Sequence, residues 1–151
     1  MPLSRSLRSQ VRLRATGLCE YCHSPEAISS ARFEIDHVQP RSLGGSDEFN
    51  NLALACQRCN ANRYNFTQAI DPITQTQVNL FHPRNQTWSE HFQWTSDASK
   101  VTGSTSIGRA TVSRLDMNDE FHSDGAIVEA ILAWVKAGWH PPLTDCRLDS
   151  E

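Results

Sequence analysis

The sequence predicts an α+β protein in two parts, a small stapled unit over residues 1–70 and an extension over 71–145 packed on or beside it. Three observations carry this reading. Cysteines fall into two matching pairs, Cys19-x-x-Cys22 and Cys56-x-x-Cys59. Two short apolar runs, Phe33-Glu34-Ile35 and Leu52-Ala53-Leu54-Ala55, flank a polar loop containing Gly44-Gly45. From Asp71 onward the composition changes, with turn residues separating short aromatic-rich runs before two helical stretches.

Residues 4–16 read as a helix. Ser4 or Ser6 can cap it, Leu7, Val11 and Ala15 share a face, and Gly17 fits the position just beyond its end. Leu18 to Cys22 then forms a tight knuckle. Ser24-Pro25 and Ser29-Ser30 mark a turn before a strand at 32–36. Residues 39–50 form a loop, 52–55 a buried strand, and a helix runs from about Gln57 to Phe66. In the extension, strands are expected at 77–82, 91–95 and 100–105. A helix capped by Thr105 or Ser106 runs to about Leu115. A last helix spans 124–137, with Ser123 as its cap and Gly138 as its end.

With 151 residues, the chain has material for one moderate core or for a small stapled unit plus an extension. Its mean hydropathy is -0.49, and no run approaches the roughly 18 apolar residues of a membrane span. The basic N-terminal stretch lacks the apolar core of a secretory signal, so a cytoplasmic location is expected. There, paired cysteines are metal ligands more often than disulfides. The net charge of -3 is unevenly distributed: residues 1–65 carry +2 and the remainder -5. Any phosphate-facing surface therefore belongs to the N-terminal half.

Four thiolates suit tetrahedral Zn2+, and a closed four-ligand site is structural. In so short a segment the metal supplies folding free energy that the core cannot. An iron–sulfur cluster uses the same ligands. Cys19-Glu20-Tyr21-Cys22-His23 also fits the haem-attachment pattern, though this leaves the second pair unexplained. Between the pairs lie Asp36 and His37, and Asn60 directly follows Cys59. Asp36 offers a hard oxygen ligand and Asn60 a carbonyl oxygen, which suit Mg2+ or Mn2+. An imidazole beside them can serve as a base for water.

The arrangement Asp36-His37, Asn51, Cys56-x-x-Cys59-Asn60 resembles the HNH endonuclease family, the zinc-stabilised branch of the ββα-metal nucleases, over Cys19 to Arg63. The resemblance implies that His37 is the general base and that Asp36 and Asn60 hold the catalytic cation. It implies that Asn51 orients His37 and steadies the loop; Asn50 fits that register less well. Asn60 stands where the family often has His, and Arg63 where it often has Lys. Arg63 and Arg41 are expected to meet a phosphate of double-stranded DNA. A different class of reading, a zinc-knuckle module that binds nucleic acid without cutting it, leaves Asp36 without a purpose, because an acid there repels phosphate.

Overall fold

In the computed structural model, which describes residues 2–148, the chain folds as two units. One comprises Met1–Thr67 and His82–Gln86, the other Gln68–Phe81 and Thr87–Glu151. The return of His82–Gln86 to the first unit has no sequence signal.

The first unit opens with α1, Arg5–Arg14, whose N-cap is Ser4; its hydroxyl accepts the Leu7 N–H at 3.1 Å. Such a cap contributes about 1 kcal/mol. Val11 is the buried residue of α1, and Gly17 follows the helix at φ +71°. The knuckle is closed by a bridge between Leu18 and Pro25 and by the Cys19 N–H donating to the Ser24 carbonyl. Strand β1, Glu34–His37, then pairs antiparallel with β2, Leu52–Ala55, placing Asp36 opposite Ala53 and His37 opposite Leu52. All four residues of β2 are buried, which is why it reads as an unbroken apolar run rather than an alternating one. Helix α2, Gln57–Arg63, starts directly after it with Cys56 as N-cap. Tyr64 at φ +50° stops this helix three residues short of the expected Phe66. The ββα order and the four cysteines at its base make this a zinc-stapled α+β fold.

The second unit holds two hairpins and three helices. Strand β3, Gln68–Ile70, pairs with β4, Gln77–Asn79. Single-turn α3, Trp88–His91, leads into β5, Phe92–Trp94, which pairs with β6, Val101–Gly103. Helix α4, Ser106–Arg114, is capped by the Thr105 hydroxyl, and α5 spans Ala126–Ala137. Strand β3 and helix α3 were not expected: three largely exposed residues and one turn carry too little periodicity to read. The cap of α5 is Gly125 at φ +75°, not Ser123, whose N–H is taken by the buried Asp119 carboxylate at 2.8 Å. Phe81, Trp88, Phe92 and Trp94 are buried, with ring centroids 5.1 Å apart for Phe81–Phe92 and for Trp88–Phe92. They are core and do not offer a stacking surface for bases. Helix α4 meets β6 and the end of α3 backbone to backbone. A Cβ at Gly108 would lie 2.0 Å from the His91 carbonyl oxygen, and one at Gly103 2.2 Å from the Arg109 nitrogen. Among the described residues no helix is long and apolar enough to cross a membrane.

Asp71, fully buried in the β3–β4 turn, fastens that hairpin to α4. Arg109 donates to both of its carboxylate oxygens, at 3.0 and 2.8 Å, and Ile73 N–H and the Thr74 hydroxyl complete the set. The Arg109 bond, foremost, holds this carboxyl well below the usual carboxylate range. A carboxyl depressed on folding stabilises above its unfolded value, about 3.9, and that contribution is lost as pH falls toward the native value. All four tryptophans belong to this unit, so their emission reports its unfolding. Asp71→Asn is expected to be less stable than wild type at pH 7 in urea titrations. The gap should narrow by pH 3; one that stays constant would mean that Asp71 is not depressed.

Candidate active site

The four cysteine sulfurs come from two elements. Cys19 and Cys22 lie in the knuckle, Cys56 at the end of β2 and Cys59 in the first turn of α2. All are buried, and their sulfurs lie within 4.8 Å of one another, with 3.7 Å between Cys22 and Cys56. Zn–S bonds of about 2.3 Å in a tetrahedron place sulfurs roughly 3.8 Å apart. The site therefore fits a structural zinc. Backbone N–H groups of Cys22 and Cys59 point at the Cys19 and Cys56 sulfurs, at 3.5 and 3.3 Å, and favour the thiolate. Burial pushes Cys19 up, while hydrogen bonds from Cys19, Cys56 and Cys59 draw Cys22 down. Convergence of both pairs on one centre leaves no role for the haem pattern.

Asp36 sits on β1 with 6% of its surface exposed. Its Oδ2 accepts from the Tyr21 hydroxyl at 2.7 Å and from Arg63 Nη1 at 2.8 Å. Burial pushes the carboxyl up, against the pull of Arg63 and Tyr21 toward the charged form. Arg63, expected to clamp a phosphate, does something else. It is 2% exposed and donates inward, to Asp36, to the His37 carbonyl and, through Nη2, to the Val38 carbonyl. The correction has a plain cause: Arg63 lies in the last turn of a short helix packed on β1, and the nearest anion is Asp36. Asn60 is one turn earlier in α2, partly exposed, so the spacing of three residues places it on the face that carries Arg63 toward β1.

His37 ends β1 with its side chain 15% exposed. Its Nε2 meets Asp47 Oδ1 at 2.7 Å, and the same oxygen accepts from Arg41 Nε at 2.9 Å. Asp47 is held below its usual range, chiefly by Arg41 and then by His37. Asn51, at the end of a short 3-10 turn, is buried where Asn50 is exposed. Its amide donates to the Gln39 and Ser46 carbonyls at 3.1 and 2.8 Å, and its oxygen accepts the Gln39 N–H at 2.9 Å. These bonds tie both ends of the loop that carries Arg41 and Asp47. Tyr21 and Asp47 were not singled out in the sequence. Their only signals are a phenol inside the first cysteine pair and an acid ten residues beyond the histidine.

Residues 19–66 match the HNH endonuclease family. The match spans just under a third of the chain and covers the thiol cluster, Asp36, His37, Asn51 and Asn60. It implies a nuclease-type function and contact with nucleic acid. No significant match was found among curated proteins or solved structures.

Two measurements check the geometry of the HNH segment. Cys59→Ser is expected to lower the melting temperature and to release bound metal; normal melting with no bound metal in wild type would refute the staple. Arg63→Ala strands Asp36 in the interior and should cost ~3–5 kcal/mol of stability, as for other broken buried pairs. Unchanged stability with weakened DNA binding would return Arg63 to the phosphate.

Proposed function

We propose that the protein is a metal-dependent endonuclease that hydrolyses phosphodiester bonds of double-stranded DNA. The observation that supports this most directly is the pairing of a buried carboxylate, Asp36, with an adjacent imidazole, His37, whose Nε2 is held by Asp47. A non-cutting nucleic-acid module has no use for either acid beside a phosphate path.

His37 acts as the base. Asp47 can only accept, so Nε2 carries the proton and the Nδ1 lone pair faces the water to be deprotonated. Asn51 keeps the loop that carries Asp47 in register with β1. Asp36 and Asn60 hold Mg2+ or Mn2+: both hydrogen bonds to Asp36 fall on Oδ2, so neither engages Oδ1, and Asn60 offers a carbonyl oxygen. The bound cation supplies charge stabilisation at the scissile phosphate and the leaving oxygen. Arg41, with its side chain 45% exposed, is the arginine of the loop that can turn to a DNA phosphate, since water already competes for an exposed pair such as Arg41–Asp47. The thiols imply a reducing compartment, the cytoplasm.

Plasmid cleavage with Mg2+, Mn2+ or EDTA, beside His37→Ala, tests the reading. The variant should keep its zinc and its affinity for DNA while cleavage falls by about two to four orders of magnitude. Wild-type cutting by His37→Ala would assign the base elsewhere. A wild type that binds DNA and never cuts it, with every divalent cation tried, would make the protein a binding module.

A further inference from the structure

Tyr21 occupies an unusual position between the two halves of the site. It lies inside the first cysteine pair, so the metal staple fixes its backbone on both sides. Its ring is fully buried, and its hydroxyl reaches Asp36 Oδ2 at 2.7 Å. Arg63 approaches the same oxygen from α2 at 2.8 Å. Two donors on one oxygen, from two different elements, hold the carboxylate by that oxygen. Asp36 thus has one oxygen committed inward and the other free of both donors.

We propose that Tyr21 is a positioning residue that couples the thiol-bound metal to the catalytic cation. It sets the Asp36 carboxylate so that Oδ1, and not Oδ2, is presented for coordination. This rests on the reading of Asp36 as a cation ligand. Loss of the staple frees the knuckle and with it the Tyr21 hydroxyl, so the grip on the catalytic cation weakens with it. Outer partners of metal-ligating carboxylates act in this way generally, and their removal costs about 10–100-fold in metal affinity or activity.

The test is Mn2+ binding by the full 151-residue chain, read from the free-ion EPR signal with and without a phosphorothioate DNA duplex that resists cleavage. Tyr21→Phe removes one oxygen atom and no ring volume. It is expected to keep a full complement of zinc and to bind Mn2+ about 10–100-fold more weakly. Cleavage should recover toward the wild-type maximum at raised Mn2+, a shift that a general loss of folding does not produce. Asp36→Asn serves as the reference and should lose Mn2+ binding. If Asp36→Asn loses Mn2+ and Tyr21→Phe binds it like wild type, the role of Tyr21 is overturned while the cation reading stands. If wild type binds no Mn2+ in either condition, or Asp36→Asn binds it unchanged, the cation reading fails and the proposal with it. A second measurement needs no variant. The Tyr21 hydroxyl proton, observed by NMR in wild type, should shift on addition of Mg2+, and a resonance that does not move overturns the coupling.

Discussion

Four buried sulfurs within 4.8 Å of one another set the terms for the first unit. As thiolates they repel each other strongly in a low-dielectric interior, and as thiols they are four poorly satisfied donors, so a cation among them resolves both problems. The apolar side chains of this unit are few: Val11, Phe33, Val38, Leu52 and Leu54 are its largest buried aliphatic and phenyl groups. Metal–thiolate bonds therefore carry folding free energy that a larger domain takes from its core. The same bonds join the knuckle to the start of α2, and the two side chains that hydrogen-bond the Asp36 carboxylate, Tyr21 and Arg63, hang from these two elements. Tyr21 is inside the knuckle, and Arg63 is in the last turn of α2.

Burial sorts the charged pairs into two kinds. Arg63–Asp36 is almost wholly enclosed, with side chains 3% and 7% exposed. Such a pair gains little net stability over an apolar substitute, yet it punishes the loss of either member severely, which fixes geometry more than it adds energy. Arg41–Asp47 is nearly half exposed on both sides. Water competes for it, and its net contribution is small. Glu20 adds a pair of the first kind: it pairs with Arg84 and accepts the Leu54 N–H at 2.7 Å, which draws the returning segment 82–86 onto the knuckle. The rigid interior and the adaptable rim are thus built from the same residue types, separated only by access to water.

The parts of this architecture that could be read from the chain are those written into local pattern. Cys19-x-x-Cys22 and Cys56-x-x-Cys59 announce a shared centre by spacing alone, and Leu52–Ala55 announces a buried strand by its unbroken apolar run. Asp36 and His37 are adjacent, so a single strand delivers both. What escaped is set by tertiary closure. Whether Arg63 faces solvent or Asp36 depends on where α2 crosses β1, and no periodicity encodes that. Asp47 meets His37 from a loop whose ends Asn51 ties, and Tyr21 meets Asp36 because the knuckle lies against β1; neither contact is local in sequence. The start of α5 is likewise set by tertiary contact: the Ser123 N–H donates to the buried Asp119 carboxylate, and the helix begins two residues later, after Gly125.

Charge divides along the same line as structure. Counted by unit, Met1–Thr67 with His82–Gln86 carries +3, and the remainder carries -6. The second unit spends its aromatic residues on its own core, and Arg109, one of its few cations, is committed to Asp71 through both carboxylate oxygens. An acidic surface repels a polyanion over about a Debye length, roughly 8 Å at physiological salt, and gains nothing from counterion release. On charge alone the first unit is the one that favours a polyanion, with Arg5 and Arg8 exposed on α1 and Arg41 exposed beside His37.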